Sequence, residues 1–123
     1  MWTLRTVGLI YLLSGIWCAL KPELAAGFLG FSLTPAGRSE FFAVYGGLQV
    51  GIALAMIMSS LHKGYIEGAL YFSLVLSAGL LGFRLLGMGM IEANSGLMAM
   101  AILEAVFVAV LVRQWHVIKT KSS

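Results

Sequence analysis

Four apolar stretches, each long enough to cross a lipid bilayer, constrain the fold of this chain more than any other feature. They cover about residues 4–20, 40–61, 65–90 and 95–112. A transmembrane helix needs about 20 predominantly apolar residues. Only helices and closed barrels can satisfy their backbone hydrogen bonds inside a bilayer. The pattern therefore predicts a single all-α domain, residues 1–123, built as a four-helix transmembrane bundle.

Composition agrees with a membrane protein and argues against several other classes. The chain is 60% hydrophobic and 11% charged, whereas soluble domains carry about 25% charged residues. Its basic residues form no run long enough to indicate nucleic-acid binding. Cys18 is a single cysteine, so it can form neither an internal disulfide nor a dithiol redox pair. No metal-ligand cluster or nucleophile motif is evident, so we expect no metal and no cofactor, and we lean against an enzyme.

The distribution of Lys and Arg predicts the orientation of the bundle. Four crossings place both termini on one side of the membrane, together with the connection that follows the second span. An excess of Lys and Arg marks the cytoplasmic side. That side carries Arg5, Lys63, Arg113, Lys119 and Lys121, whereas the outer loop carries Lys21 and Arg38. We therefore expect both termini in the cytoplasm.

The outer loop, residues 21–39, contains an apolar piece that is too short to span. This piece, Leu24–Leu33, is expected to form a short interfacial or re-entrant segment that partly caps the bundle. Thr34 followed by Pro35 is typical of a helix start, because Thr can cap a helix and Pro suits its first position. The second helix is therefore expected to begin near Pro35, outside the membrane.

Small residues recur at every fourth position of the second span and predict a helix-packing seam. Small side chains let helix backbones approach closely in lipid. The sequence leaves open whether the neighbour is another helix of the chain or a second copy, and we expect a homo-oligomer. A weaker seam on the third span contains Gly82. The main seam consists of Ala43, Gly47, Gly51 and Ala55.

Ionisable residues at membrane depth are the strongest indication of a functional site, because they are costly to place there. Arg84 and Glu104 lie roughly 9 and 13 Å below the outer ends of adjacent antiparallel helices, at a rise of 1.5 Å per residue. We therefore expect them to form an ion pair. Glu40 shares the face of the small-residue seam and is expected to point towards a packed neighbour. Tyr45 and Gln49 form a separate polar stripe on the same helix.

Each predicted helix contributes polar residues, and together they predict a polar cavity in the outer half of the bundle, with Arg84 at its centre. The first span offers Tyr11, Ser14 and Cys18 on one side. The third span offers Ser73, Ser77 and Arg84.

Two sequence blocks resemble those of a known family. Residues 39–51 read SEFFAVYGGLQVG, an acidic residue followed by Tyr-Gly-Gly-Leu and a further Gly. Residues 82–84 read Gly-Phe-Arg, and Glu104 is an acidic residue in the last span. Together they resemble a bacterial domain-of-unknown-function family of small four-helix integral membrane proteins, DoxX-like in architecture. The resemblance implies the fold and a location in the bacterial inner membrane, and it implies no activity.

The leading hypothesis is a non-enzymatic protein that holds a membrane lipid or another small amphipathic molecule in the outer half of the bundle. Arg84 would bind the anionic or polar end of that molecule, and Glu104 and Glu40 would orient Arg84. Tyr45 and Gln49 would add hydrogen bonds. Two alternatives stay open. One is a small proton-coupled exporter in which Glu104 or Glu40 titrates. The other is a purely structural or partner-interacting subunit.

Overall fold

Long helices make up most of the protein. The computed structural model describes residues 2–30, 32–90 and 95–122. Within these ranges four helices are long and apolar enough to cross a membrane. The all-α bundle predicted from the sequence is therefore confirmed, and its architecture is that of a multi-pass membrane protein. The described helices are α1 (Trp2–Leu20), the short α2 (Pro22–Leu29), α3 (Pro35–Ser59), α4 (Lys63–Met90) and α5 (Ser95–Ser122).

The long helices pack side by side in alternating directions. α1 packs along α3, α4 packs along α5, and contacts between α3 and α4 and between α1 and α5 complete the bundle. The hydroxyl of Thr3 donates to Oε1 of Gln114 at 3.0 Å, and Nε of Arg5 donates to Oγ of Ser60 at 3.1 Å. The start of α1, the α3–α4 connection and the final part of α5 thus lie together. We call this the terminal end, and the opposite end, which carries α2, the loop end.

Apolar side chains form a compact core in the terminal half, and many others face outwards. Leu4, Leu70 and Leu111 are fully buried there, next to Met56 and Phe107. Large apolar side chains such as Phe83 and Ile102 lie on the outer surface of the bundle. An apolar outer surface is expected where lipid rather than water surrounds the helices.

The connection between α1 and α3 matches its prediction of a short capping segment. Its apolar piece forms α2, which ends at Gly30 in a left-handed conformation with φ 93°; residue 31 lies outside the described ranges. The Thr34 hydroxyl accepts a hydrogen bond from the Gly37 backbone N–H at 3.0 Å, and α3 starts at Pro35. An ion pair between Glu23 and Arg38 joins α2 to α3. A cap, a proline and an ion pair therefore define where α3 begins.

Two long helices differ from their predicted form. In α3, residues Phe42–Leu48 form a π-helix between two α-helical segments. α5 continues to Ser122, beyond residue 112, where the predicted fourth span ends. Contacts with α4 hold this extension, because the Trp115 ring packs on Tyr71, with ring centroids 5.6 Å apart, and Lys119 pairs with Glu67. The α4–α5 connection (residues 91–94) and the side chain of Lys121 lie outside the described part.

Glycines do bring α1 and α3 together, but on a different face from the one predicted. A Cβ on Gly8 would lie 2.8 Å from Cγ1 of Ile57, and a Cβ on Gly15 would lie 2.9 Å from Cγ2 of Val50. Both distances are too short for a side chain, so these positions need glycine for close helix approach. On α3 the matching glycine is Gly46.

The predicted seam is not used for packing within the described chain. Its members are exposed, and a Cβ on Gly51 would meet nothing within 4 Å; the same holds for Gly82. The reason is that α3 presents glycines on two neighbouring faces, and α1 packs on the face that carries Gly46. Contact with a second copy stays a prediction. The exposed seam residues are Ala43, Gly47, Gly51 and Ala55.

Candidate ligand-binding cavity

A cavity of about 240 Å³ lies in the loop half of the bundle, bounded by the four long helices and by α2. The sequence placed its predicted cavity in the half of the bundle next to the loop of residues 21–39, and this cavity lies in that half. The walls are more apolar than the sequence indicated, because leucine, isoleucine, phenylalanine and other apolar side chains separate the polar groups. The polar or ionisable residues that line it are Tyr11, Ser14, Cys18, Tyr45, Gln49, Arg84 and Glu104.

Arg84 and Glu104 form the predicted ion pair between α4 and α5. Nε of Arg84 donates to both carboxylate oxygens of Glu104 at 2.9 Å, and Nη2 of Arg84 lies 2.8 Å from Oε1. The Glu104 side chain is 2% exposed and that of Arg84 is 15% exposed. Such a pairing offsets much of the cost of placing two charges in an apolar region. Because both residues also line the cavity, the pair forms part of its wall.

One side of the guanidinium is left for another partner. Arginine has five N–H donors and no acceptor. The hydrogen bonds to Glu104 use Nε and Nη2, and among the described residues Nη1 has no acceptor. The carboxylate, in contrast, accepts at both of its oxygens. The pair therefore offers mainly hydrogen-bond donors to whatever occupies the cavity.

Tyr45 and Gln49 line the cavity from α3, where the sequence placed a polar stripe. Nε2 of Gln49 donates to the Tyr11 carbonyl at 3.3 Å, which ties α3 to α1. The Tyr45 ring stacks on Phe41, with centroids 4.5 Å apart and planes 10° from parallel. The Tyr11 hydroxyl lies 3.5 Å from Oγ of Ser77 on α4. These contacts fix the orientation of the polar side chains around the cavity.

Glu40 does not belong to this site. Its side chain is exposed, and it is not among the residues that line the cavity. The expectation that Glu40 points towards a packed neighbour and orients Arg84 is therefore wrong within the described chain. α3 begins at Pro35, so Glu40 lies close to its start at the loop end. Gly47, farther along α3, is exposed as well.

Several wall residues belong to both the cavity and the outer surface of the bundle. Trp17 and Phe28 pack edge to face, with ring centroids 6.1 Å apart, and both are exposed. Val44 and Leu48 on α3 and Leu80 on α4 are exposed as well. The cavity is therefore partly open, and exposed apolar side chains border its openings.

Sequence reasoning missed the contribution of α2 to the cavity wall. Phe28 and Leu29 of α2 line it, facing Met100 and Leu103 of α5. The apolar character of residues 24–33 indicated a cap but gave no information on which of its side chains point inwards. Among the described residues there is no group of three or more His, Cys, Asp or Glu that could hold a metal ion.

A second cavity, of about 350 Å³, lies between α3 and α4 nearer the terminal end. It is lined by Met56, Tyr65, Phe72 and small residues such as Gly68, and neither member of the ion pair contacts it. Ser59, Tyr65 and Ser73 also line the second cavity. The charged pair is therefore what distinguishes the first cavity, and a few fixed polar or charged groups are typical of specific ligand sites.

Comparison of the chain with protein-family models, with curated proteins and with solved structures finds no match. Functional inference therefore depends on the geometry and chemistry of the cavity.

Proposed function

We propose that the protein is a non-enzymatic membrane protein that holds a lipid or another amphipathic molecule in the loop-half cavity. The observation that carries this proposal is a half-buried arginine, ion-paired with a buried glutamate, in the wall of a partly open apolar cavity. Ligand sites combine mostly apolar walls with a few fixed polar groups. The polar end of the ligand binds at Arg84, and its apolar part contacts the surrounding walls.

The residues of the site have different roles in this proposal. Glu104 holds the guanidinium in place through three contacts, all within 2.9 Å. A fixed donor loses little side-chain freedom when a ligand binds, which favours affinity. Gln49 and Tyr45 contribute polar side chains to the wall from α3.

The size of the cavity favours partial enclosure of the ligand. Sites that enclose a drug-sized molecule usually measure about 300–1,000 Å³, and this cavity measures about 240 Å³. It can hold a head group and the first part of a chain. The rest of the chain then extends through the openings beside Leu48 or Trp17 into the surrounding lipid.

The experiment that tests this proposal is native mass spectrometry of protein extracted in mild detergent. Ser14→Phe fills the cavity from α1, and Leu13→Phe places the same side chain on the exposed face one residue earlier. We expect the wild type and Leu13→Phe to carry a molecule of discrete mass, and Ser14→Phe to lose it while its helix content is unchanged. Wild-type protein without a bound mass, or a bound mass retained by Ser14→Phe, refutes the proposal.

We further propose that the protein resides in a bacterial inner membrane with its terminal end in the cytoplasm. Arg5, Lys63 and Arg113 belong to the terminal end, whereas Lys21 and Arg38 belong to the loop end, and Lys and Arg are enriched on the cytoplasmic side. Labelling of an introduced cysteine at the terminal end of α5, in a Cys18→Ser background, tests this orientation. Reaction with an impermeant reagent only after the membrane is opened is the expected result, and reaction in intact cells contradicts it.

We also propose that the exposed seam on α3 contacts a second copy of the chain. The support is the open space beside Gly51 and the exposure of Gly47 and the neighbouring small residues, because small residues in lipid favour close helix packing. A larger side chain at Gly51 should then change the number of copies per particle. A matched substitution at Gly79, which is also exposed and has open space around it, should leave that number unchanged.

A further inference from the structure

We infer that the head group bound beside Arg84 is uncharged and accepts hydrogen bonds, as an ester, a ketone or an amide does. This inference rests on the proposed function and names the chemical class of the ligand. It depends on three properties of the site, namely its charge balance, the free donors of Arg84 and the burial of Glu104.

The cavity is electrically balanced without a ligand. Of the described residues that line it, Arg84 and Glu104 are the charged pair, and the other polar groups are hydroxyl, thiol and amide groups. An anionic head group would therefore add an uncompensated negative charge to an apolar space, and a cationic one an uncompensated positive charge. Uncompensated charges in apolar surroundings are strongly disfavoured.

The donors of the site select an acceptor. The Glu104 carboxylate is held at both oxygens by Arg84 and its side chain is 2% exposed, so its remaining lone pairs are poorly accessible to a ligand. Arg84 keeps Nη1, which has no partner among the described residues. A carbonyl oxygen satisfies such an N–H group without adding a charge.

Burial of Glu104 prevents an anionic ligand from simply replacing it. The Glu104 side chain is 2% exposed, so displacing it from Arg84 would leave a buried carboxylate without its counter-charge. Removing one partner of a buried ion pair costs far more than replacing both partners by apolar groups. An anionic head group is therefore disfavoured both beside the intact pair and in place of Glu104.

Trp17 allows a direct test, because it lines the cavity and its fluorescence is quenched by bromine. In a Trp2→Phe, Trp115→Phe background Trp17 is the single tryptophan left, since the chain has three. Three probes with one chain length are compared in phosphatidylcholine nanodiscs at alkaline pH: methyl ω-bromododecanoate, ω-bromododecanoate and ω-bromododecyl-trimethylammonium. Ser14→Phe in the same background gives the baseline for quenching from the surrounding lipid.

We expect the ester to quench Trp17 at concentrations at least about tenfold lower than either charged probe. A carboxylate that quenches as well as the ester overturns the inference. If none of the three probes quenches Trp17 more strongly than it does in the Ser14→Phe variant, the proposed function itself is refuted. The two failures are therefore distinguishable.

Glu104→Gln provides the second arm, because it removes the compensating charge and keeps the side-chain shape. The cavity then carries an uncompensated Arg84, and the preference should change from the ester to the carboxylate. Glu23→Gln removes an exposed carboxylate at the loop end that does not line the cavity, and it should keep the preference for the ester. An unchanged preference in Glu104→Gln overturns the charge-balance argument. If the Glu104→Gln variant does not insert into the membrane, the inference is judged from the order in which the three probes quench Trp17 in the protein with Glu104 intact.

Discussion

Removing one partner of the Arg84–Glu104 pair should destabilise the bundle far more than removing both. Arg84→Gln leaves a carboxylate that is 2% exposed without its counter-charge, which should cost about 3–5 kcal/mol of unfolding free energy. Glu104→Gln leaves Arg84, 15% exposed, in the same position and should be nearly as costly. The double variant carries no charge and should differ from the wild type by about 1 kcal/mol. The coupling energy of the pair, which is the sum of the two single losses minus the change in the double variant, is then at least about 5 kcal/mol.

Reversible unfolding in mixed dodecyl maltoside and dodecyl sulfate micelles, followed by far-ultraviolet circular dichroism, measures these differences. Glu23 and Arg38 provide the control cycle, because their side chains are 62% and 57% exposed. Exposed pairs contribute little, so their coupling should stay below about 1 kcal/mol. If the Arg84–Glu104 coupling is as small as that of the control pair, the argument that the pair is a desolvated, fixed element of the cavity wall is refuted.

Three further predictions concern helix packing, capping and proton coupling. Gly15→Ile should lower the unfolding free energy by about 1–3 kcal/mol, because a Cβ at position 15 would lie 2.9 Å from Cγ2 of Val50. Gly51→Ile has open space and should change only the copy number in native mass spectrometry. Equal losses of stability in the two variants would contradict this prediction. Thr34→Ala removes the cap of α3 and should cost about 1 kcal/mol in the same unfolding assay, and no loss would show that the cap is unimportant. Glu104→Gln should leave proton flux into proteoliposomes, followed with a pH-sensitive dye, at the wild-type level; loss of a wild-type flux would favour the exporter.

The main features of the fold follow from the sequence because the bilayer imposes them. Bilayer thickness sets the length of each span, and the absence of water in its core requires helices. Residue depth is equally predictable, since every residue advances a helix by about 1.5 Å. This is why Arg84 and Glu104 could be paired from their positions in adjacent antiparallel helices. The start of α3 at Pro35 was predictable because a cap followed by proline is a local signal.

The face that each helix turns inwards was harder to predict. In a soluble protein the apolar face is the buried one, but all faces of these helices are apolar, so hydrophobicity does not distinguish them. α3 carries Gly46 and Gly47 in succession, and either could have contacted α1. The structure shows that Gly46 does so. Residues 42–48 are π-helical. In this segment, residues four apart in the sequence therefore do not share one face of the helix as they do in a regular α-helix.

The site was predicted in part for the same reasons. Arg84, Glu104, Tyr45 and Gln49 were found because charge and polarity are conspicuous in an apolar chain, and the structure brings all four to one cavity. Glu40 was misplaced because it belongs to the part of α3 near its start, beyond the cavity. Phe28 could not be found, since its position depends on how α2 folds back against α1 and α5.

Photolabelling tests the central claim, that an amphipathic molecule occupies the loop-half cavity with its polar end at Arg84. The probe is a long-chain ester that carries a diazirine beside the ester group, applied to the protein in nanodiscs, with labelled residues mapped by mass spectrometry. The proposed binding mode predicts saturable labelling of Glu104 and Met100, which line the cavity together with Arg84, and loss of that labelling in Ser14→Phe. Labelling that rises without saturation and falls on outward-facing residues such as Phe83 would contradict it.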